Sequence, residues 1–140
     1  MSRRKARQNA LMVLFQMDLV EAELTNALPF VLEEYPLGGA AEEYASQLAS
    51  GVWEHRETLD ALIQQESIDW DVSRMAVVDR NILRLALYEM YFLNTIPDRV
   101  AINEAVELCK MFGGPDSSKF VNGILGSLVK NQLPLPGMDG

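Results

Sequence analysis

The sequence predicts an all-α bundle of six or seven helices. Apolar residues recur every three to four positions nearly throughout, the spacing that lines one face of a helix with 3.6 residues per turn. No stretch reads convincingly as strand. Pro36-Leu37-Gly38-Gly39, Pro97 and Gly113-Gly114 cut the pattern into pieces of helical length. At 140 residues, 49% hydrophobic and 23% charged, the chain has the size and balance of one globular domain with its own core.

The first helix runs from about Arg4 to Val20. Ala6, Ala10, Val13, Leu14 and Met17 form one stripe, and Arg7, Leu11 and Phe15 a second beside it. A short helix near Asn26 to Tyr35 carries Leu28, Val31 and Leu32. One long helical stretch from Ala40 to about Glu66 turns Tyr44, Leu48, Val52, Leu59 and Leu62 inward. Residues 67–71 read as a connection. The zone from about Ser73 to Asn94 contains DRNILRLALYEMYF, apolar on more than one side, and such a helix sits centrally in the packing. Pro97 stops it. The next helix, VAINEAVELCKMFGG, ends on paired glycines suited to a left-handed C-cap. Asp116 or Ser117 caps a final helix ending near Asn131, whose buried stripe is Val121, Ile124, Leu125 and Leu128. Residues 1–131 are expected to form one helical domain and 132–140 a flexible C-terminal tail.

Charge is segregated along this chain. Its net charge is -8, yet Arg3, Arg4, Lys5 and Arg7 are four of only 12 basic residues. Between Gln8 and His55 there is no basic residue, while eight acidic ones occur. A basic amphipathic helix suits nucleic-acid phosphates or an anionic membrane surface, and it can also serve solubility alone. Asp18, Glu21 and Glu23 follow directly and would repel a membrane. No apolar run approaches the ~20 residues of a membrane span, and no secretory signal follows the basic start. The lone Cys109 forbids an internal disulfide and makes the cytoplasm the expected address.

Catalysis has little to stand on. The only histidine, His55, falls in the charged run Glu54-His55-Arg56-Glu57, on an expected solvent face. Cys109, between Leu108 and Lys110, reads as a small core residue. One His and one Cys cannot assemble a zinc site of the usual type. Acidic pairs such as Glu33-Glu34 and Glu42-Glu43 read as solvated helix faces. No enzyme activity, metal or cofactor is expected. The last helix offers more. Phe120 lies roughly 90° from the centre of the buried stripe, with Lys119 further round. That shoulder position suits either packing on a neighbouring helix or stacking of a nucleobase. Gly123 costs a helix ~1 kcal/mol relative to Ala, so close approach of another helix or a ligand backbone is expected there.

Three stretches, RRKARQNALMVLFQMD, DRNILRLALYEM and IPDRVAINEAVELCKMFGGPDSSKFVNGILG, carry more than periodicity. In that order and spacing, to about Lys130, they closely resemble the NusB family of bacterial transcription antitermination factors. The resemblance implies two small helical subdomains. It implies binding of the single-stranded boxA element of nascent RNA, notably in ribosomal RNA operons, together with NusE, a small-subunit ribosomal protein. The pair then promotes processive transcription within the transcription elongation complex, with no catalytic step and no cofactor. Residue by residue, it assigns phosphate contacts to Arg3, Arg4, Lys5 and Arg7. Phe15 stands where the family commonly has a tyrosine, which keeps the stacking surface and removes a hydroxyl. Asp116, Ser117, Lys119 and Phe120 match the second RNA-contacting element, where Phe120 stacks a base and Asp116 and Ser117 hydrogen-bond base or sugar. An ionised Asp116 accepts a hydrogen bond or caps a helix; it does not attract phosphate. Asp79 belongs to the NusE-facing side, where an acidic face suits a basic ribosomal protein. Two other readings stay open. One is a fragment or stand-alone relative of the helical domain that precedes RNA cytosine methyltransferases. The other is a self-associating protein, since family members differ in whether they form homodimers.

Overall fold

The computed structural model describes residues 2–135, and its first helix, α1 (Arg3–Leu19), begins at a capping serine. Ser2 Oγ accepts the Lys5 N–H at 3.2 Å. Among the described residues six more α-helices follow: α2 (Leu24–Glu34), α3 (Gly39–Glu54), α4 (Arg56–Glu66), α5 (Val77–Tyr88), α6 (Asp98–Phe112) and α7 (Ser117–Asn131). A 3₁₀ turn, Val72–Arg74, leads into α5, which runs on as a π-helical turn, Glu89–Leu93. No strand occurs among the described residues. Helices α2, α3 and α5 pack on α1, while α6 and α7 pack on α5 and on each other. Helix α5 is thus shared by an N-terminal and a C-terminal group. One apolar core runs through both, with Leu14, Leu48, Ile63, Leu83 and Leu125 fully enclosed.

The stripe Ala6, Ala10, Val13, Leu14 and Met17 of α1, the stripe of α7 and the inward positions from Tyr44 to Leu62 are all buried, whereas Phe15 of the second α1 stripe is half-buried. The long stretch from Ala40 to Glu66 is two helices, not one. At His55 the backbone leaves helical geometry (φ −102°, ψ 19°), and α4 starts at the next residue. His55 is half-buried and not freely solvated: its ring stacks on Phe92 with centroids 4.2 Å apart. No helix closely approaches Gly123, where a Cβ would meet nothing within 4 Å; the close helix approach is at Gly51, where a Cβ would clash with the Tyr88 ring. Leu28 and Leu32 are only half-buried.

The α6–α7 turn departs from expectation as well. Gly113 is extended (φ −91°, ψ −179°), so no left-handed C-cap forms. A glycine is needed there for space: a Cβ would meet Ser117 Oγ at 2.5 Å and the Cys109 carbonyl oxygen at 2.8 Å. Asp116 occupies the N-cap position of α7 without a side-chain capping bond. Ser117 Oγ accepts the Gly114 N–H at 2.9 Å and so closes the turn without capping the helix. The tail expected to be flexible is anchored at its start, since the Tyr91 hydroxyl donates to the Leu133 carbonyl at 2.6 Å. Residues 136–140 of that tail lie outside the described residues.

Charged side chains cross-link the helices around α5. Asp18 accepts two hydrogen bonds from Arg80 at 2.7 Å, one from Asn81 Nδ2 at 2.8 Å and one from Arg84 at 2.9 Å. Arg84 also donates to both carboxylate oxygens of Asp60, at 2.7 and 2.8 Å, which ties α4 to α5. Burial disfavours the Asp18 carboxylate, but the hydrogen bonds from Arg80 and Asn81 and the Arg84 charge outweigh it. They hold its pKa below the ordinary value of 3.8. A depressed folded-state pKa means that the unfolded chain binds the proton first. The stability from this cluster is therefore complete above pH ~4 and is lost as the pH falls through the lower folded-state value. Urea unfolding between about pH 6 and pH 2 should show that loss, and Asp18→Asn should flatten it while lowering stability at neutral pH.

Candidate nucleic-acid interface

The first turn of α1 holds basic residues and no acidic one. Positive charge at a helix N-terminus opposes the helix dipole, so these residues do not serve helix stability. Arg3 is exposed, with its guanidinium 5.3 Å from the centre of the Tyr44 ring. Lys5 is exposed and makes no ion pair among the described residues. Arg4 is exposed too, but Glu104 of α6 grips it: Arg4 Nε and Nη2 donate to the two carboxylate oxygens at 3.1 and 3.0 Å. That hydrogen bonding, followed by the charge of Glu104, holds the Arg4 guanidinium above its ordinary value.

Arg7 corrects the expectation for this helix. Its side chain is buried and donates to Glu89 through Nε at 2.7 Å and Nη2 at 2.9 Å. The Tyr44 hydroxyl donates to the same carboxylate at 2.6 Å. Burial opposes the Arg7 charge, but the hydrogen bond and attraction of Glu89 prevail and hold the guanidinium above its ordinary value. Burial and the bond to Glu89 push the Tyr44 phenol up to about 12. A side chain enclosed in this way cannot reach a phosphate at the surface. Arg7 is a strut between α1 and the π-helical turn.

Two hollows lie further along. The first, of about 510 Å³, is walled by Phe15, Phe30, Tyr35 and Phe112 with Val78. The second, of about 400 Å³, is bordered by Trp70, Arg74, Asp79, Asp116 and Phe120. Val78 borders the first and its neighbour Asp79 the second; Phe112 and Gly114 do the same at the end of α6. Both hollows therefore back onto one junction, the start of α5 against the end of α6. This junction joins the two elements that the sequence held apart, with Phe15 on one side and Phe120 on the other. Both rings are half-buried and line their hollows, and Phe120 also packs on the core. Phe15 lies eleven positions beyond Arg4 on α1, about 16 Å along the helix axis.

Within the second hollow the expected residues differ in kind. Asp116 is exposed, and Lys119 is exposed on α7 nearby. Ser117 is buried with its oxygen used by the Gly114 N–H, so it acts as a staple of the turn and is not a free contact. Asp79 Oδ1 is buried without a hydrogen-bond partner. Cys109 is buried, and burial followed by the charge of Asp79 pushes its thiol up to about 12, which keeps it protonated and unreactive. Trp70 escaped the sequence reading because residues 67–71 looked like a plain connection, and Arg74 because it fell at the start of the helical zone from about Ser73. A signal was present: a tryptophan close to an arginine in a polar stretch, and the fold leaves that tryptophan 55% exposed.

The NusB family profile matches residues 4–130. The chain is 51% identical, over 94% of its length and 92% of the relative's, to the transcription antitermination protein NusB of Desulforamulus reducens. Its fold is similar to that of T. maritima NusB, with a TM-score of 0.86 and 38% identity over 96% of this chain and 94% of that one. It is also similar to a chain in the crystal structure of antitermination factors NusB and NusE in complex with double-stranded RNA. That match has a TM-score of 0.84 and 31% identity, and covers 92% of this chain and 96% of the other.

Proposed function

The chain belongs to the NusB family, and on that premise we propose that it is an RNA-binding transcription antitermination factor that binds boxA RNA together with NusE and promotes processive transcription, notably of ribosomal RNA operons. The observation that carries this reading is the pair of aromatic hollows backing onto the α5–α6 junction, with the cationic end of α1 on the same helix as Phe15. Single-stranded nucleic acid is held by cations along its backbone and by aromatic faces that stack its bases.

The residues divide the work accordingly. Arg3, Arg4, Lys5 and Lys119 take phosphates, and Phe15 and Phe120 stack bases. Asp116 accepts from a base or sugar donor. Asp79 belongs to the NusE-facing side, where an acidic face suits a basic protein. The protein acts as an adaptor in the transcription elongation complex in the cytoplasm, without catalysing a reaction. Among the described residues no helix is long and apolar enough to cross a membrane.

A joint pull-down with NusE and boxA RNA tests the reading. RNA retention should be weak alone and strong with NusE. Three to four phosphate contacts on single-stranded RNA predict a slope of about −2 to −3 in a plot of log affinity against log salt. Retention of neither partner would overturn the assignment. Sedimentation with and without RNA tests self-association: a homodimer that covers this surface should dissociate as RNA is added.

A further inference from the structure

The geometry points to Glu104 as a built-in competitor of RNA phosphate for Arg4, a residue that sets RNA affinity by occupying a cation of the binding surface until the nucleic acid displaces it. This rests on the RNA-binding reading above and goes further by naming what the RNA must displace.

The four cations at the start of α1 are not equivalent. Arg7 is taken by Glu89, and Arg4 is gripped by both oxygens of Glu104. Two negative charges thus cancel two of the four positive ones, leaving Arg3 and Lys5 uncompensated. The two paired arginines then differ in exposure. Arg7 is sealed with a side chain 5% exposed, whereas the Arg4 side chain is 60% exposed and its partner Glu104 is 17% exposed. Exposed pairs of this kind are weak, and a phosphate offers a guanidinium the same two-oxygen geometry as a carboxylate. Arg4 can therefore exchange one acceptor for the other.

Glu104 is also placed to survive the exchange. Its Oε2 lies 4.0 Å from Nη1 of Arg7. When Arg4 turns to a phosphate, the carboxylate keeps a buried cation beside it and is not left unpaired. The contact acts as a threshold. An RNA that places a phosphate at Arg4 while its bases fill the hollows has stacking energy to offset the loss of the Glu104 pair. An arbitrary RNA that meets only the cationic end of α1 does not.

The test measures boxA RNA binding in the presence of NusE for the parent, Glu104→Gln, Arg4→Gln and the double variant. Glutamine keeps the shape and removes the charge. Glu104→Gln should bind about three- to ten-fold tighter at low salt, with the gain shrinking as salt screens the surface. In the Arg4→Gln background the same change should give little gain, because there is no guanidinium to release. Unchanged or weaker binding by Glu104→Gln would overturn the inference, as would an equal gain with and without Arg4. If Glu104→Gln loses helicity, Arg4→Gln against Lys5→Gln decides the matter. Arg4→Gln should cost less affinity than Lys5→Gln, since Arg4 contributes net of its pair, and an equal or larger loss overturns the inference. Absence of RNA binding by the parent itself would remove the functional reading, whereas a binding parent with an indifferent Glu104→Gln removes only the role of Glu104.

Discussion

Arg7→Ala is expected to destabilise the fold by about 3–5 kcal/mol, a drop in Tm on the order of 10 °C, and to leave RNA affinity per folded molecule nearly unchanged. The cost comes from what remains behind. Glu89 is 1% exposed, and without Arg7 it keeps only the Tyr44 hydroxyl. A buried carboxylate stripped of its counter-ion must take up a proton or draw in water, and either disrupts the packing of α1 on α3 and on the end of α5. Replacing both members, Arg7→Met with Glu89→Leu, should recover much of the loss because no charge is then stranded. Thermal unfolding of the three variants tests this, alongside RNA binding normalised to the folded fraction. If Arg7→Ala kept its Tm and lost RNA affinity, Arg7 would be a phosphate ligand after all.

The difference between Arg7 and its neighbours shows what periodicity reveals and what it misses. The stripe Ala6, Ala10, Val13, Leu14, Met17 was legible because apolar side chains must leave water, and their spacing states the direction. The same logic sends a charged residue outward, and so it grouped Arg7 with Arg3, Arg4 and Lys5. Arg7 points inward because Glu89 meets it from 82 residues away, and no local pattern encodes such a partner. Asp18, Arg80 and Arg84 form a second cluster of this kind, 62 and 66 residues apart along the chain. The DRNILRLALYEM stretch looked apolar on more than one side, yet Asn81, Arg84 and Glu89 in it are buried and polar. Family resemblance singled out the stretch from Asp116 to Phe120 as a candidate. It could not show that Ser117 is spent on closing a turn or that Trp70 and Arg74 share the hollow. Those are facts of tertiary contact: a 3₁₀ turn before α5 brought beside the α6–α7 turn.

Phe120→Leu is expected to weaken boxA binding roughly ten- to hundred-fold while changing stability by less than about 1.5 kcal/mol. Leucine is the informative replacement because the ring has two jobs. It is half-buried against the core and half-open to the hollow, so Phe120→Ala would confound a cavity with a lost contact. Leucine refills most of the apolar volume and removes the flat face on which a base can stack, which is worth ~1–3 kcal/mol per base. The loss should be larger for boxA than for an unrelated RNA of equal length, since the unrelated strand is held mainly through phosphates. Arg3→Gln and Lys5→Gln should do the opposite, weakening both RNAs alike and flattening the salt dependence by about 0.7 per phosphate contact. The two classes of variant thereby separate backbone attraction at the start of α1 from base recognition at the α5–α6 junction. Should Phe120→Leu bind boxA as the parent does, the ring is a packing residue and recognition must sit in the other hollow, with Phe15, Phe30, Tyr35 and Phe112.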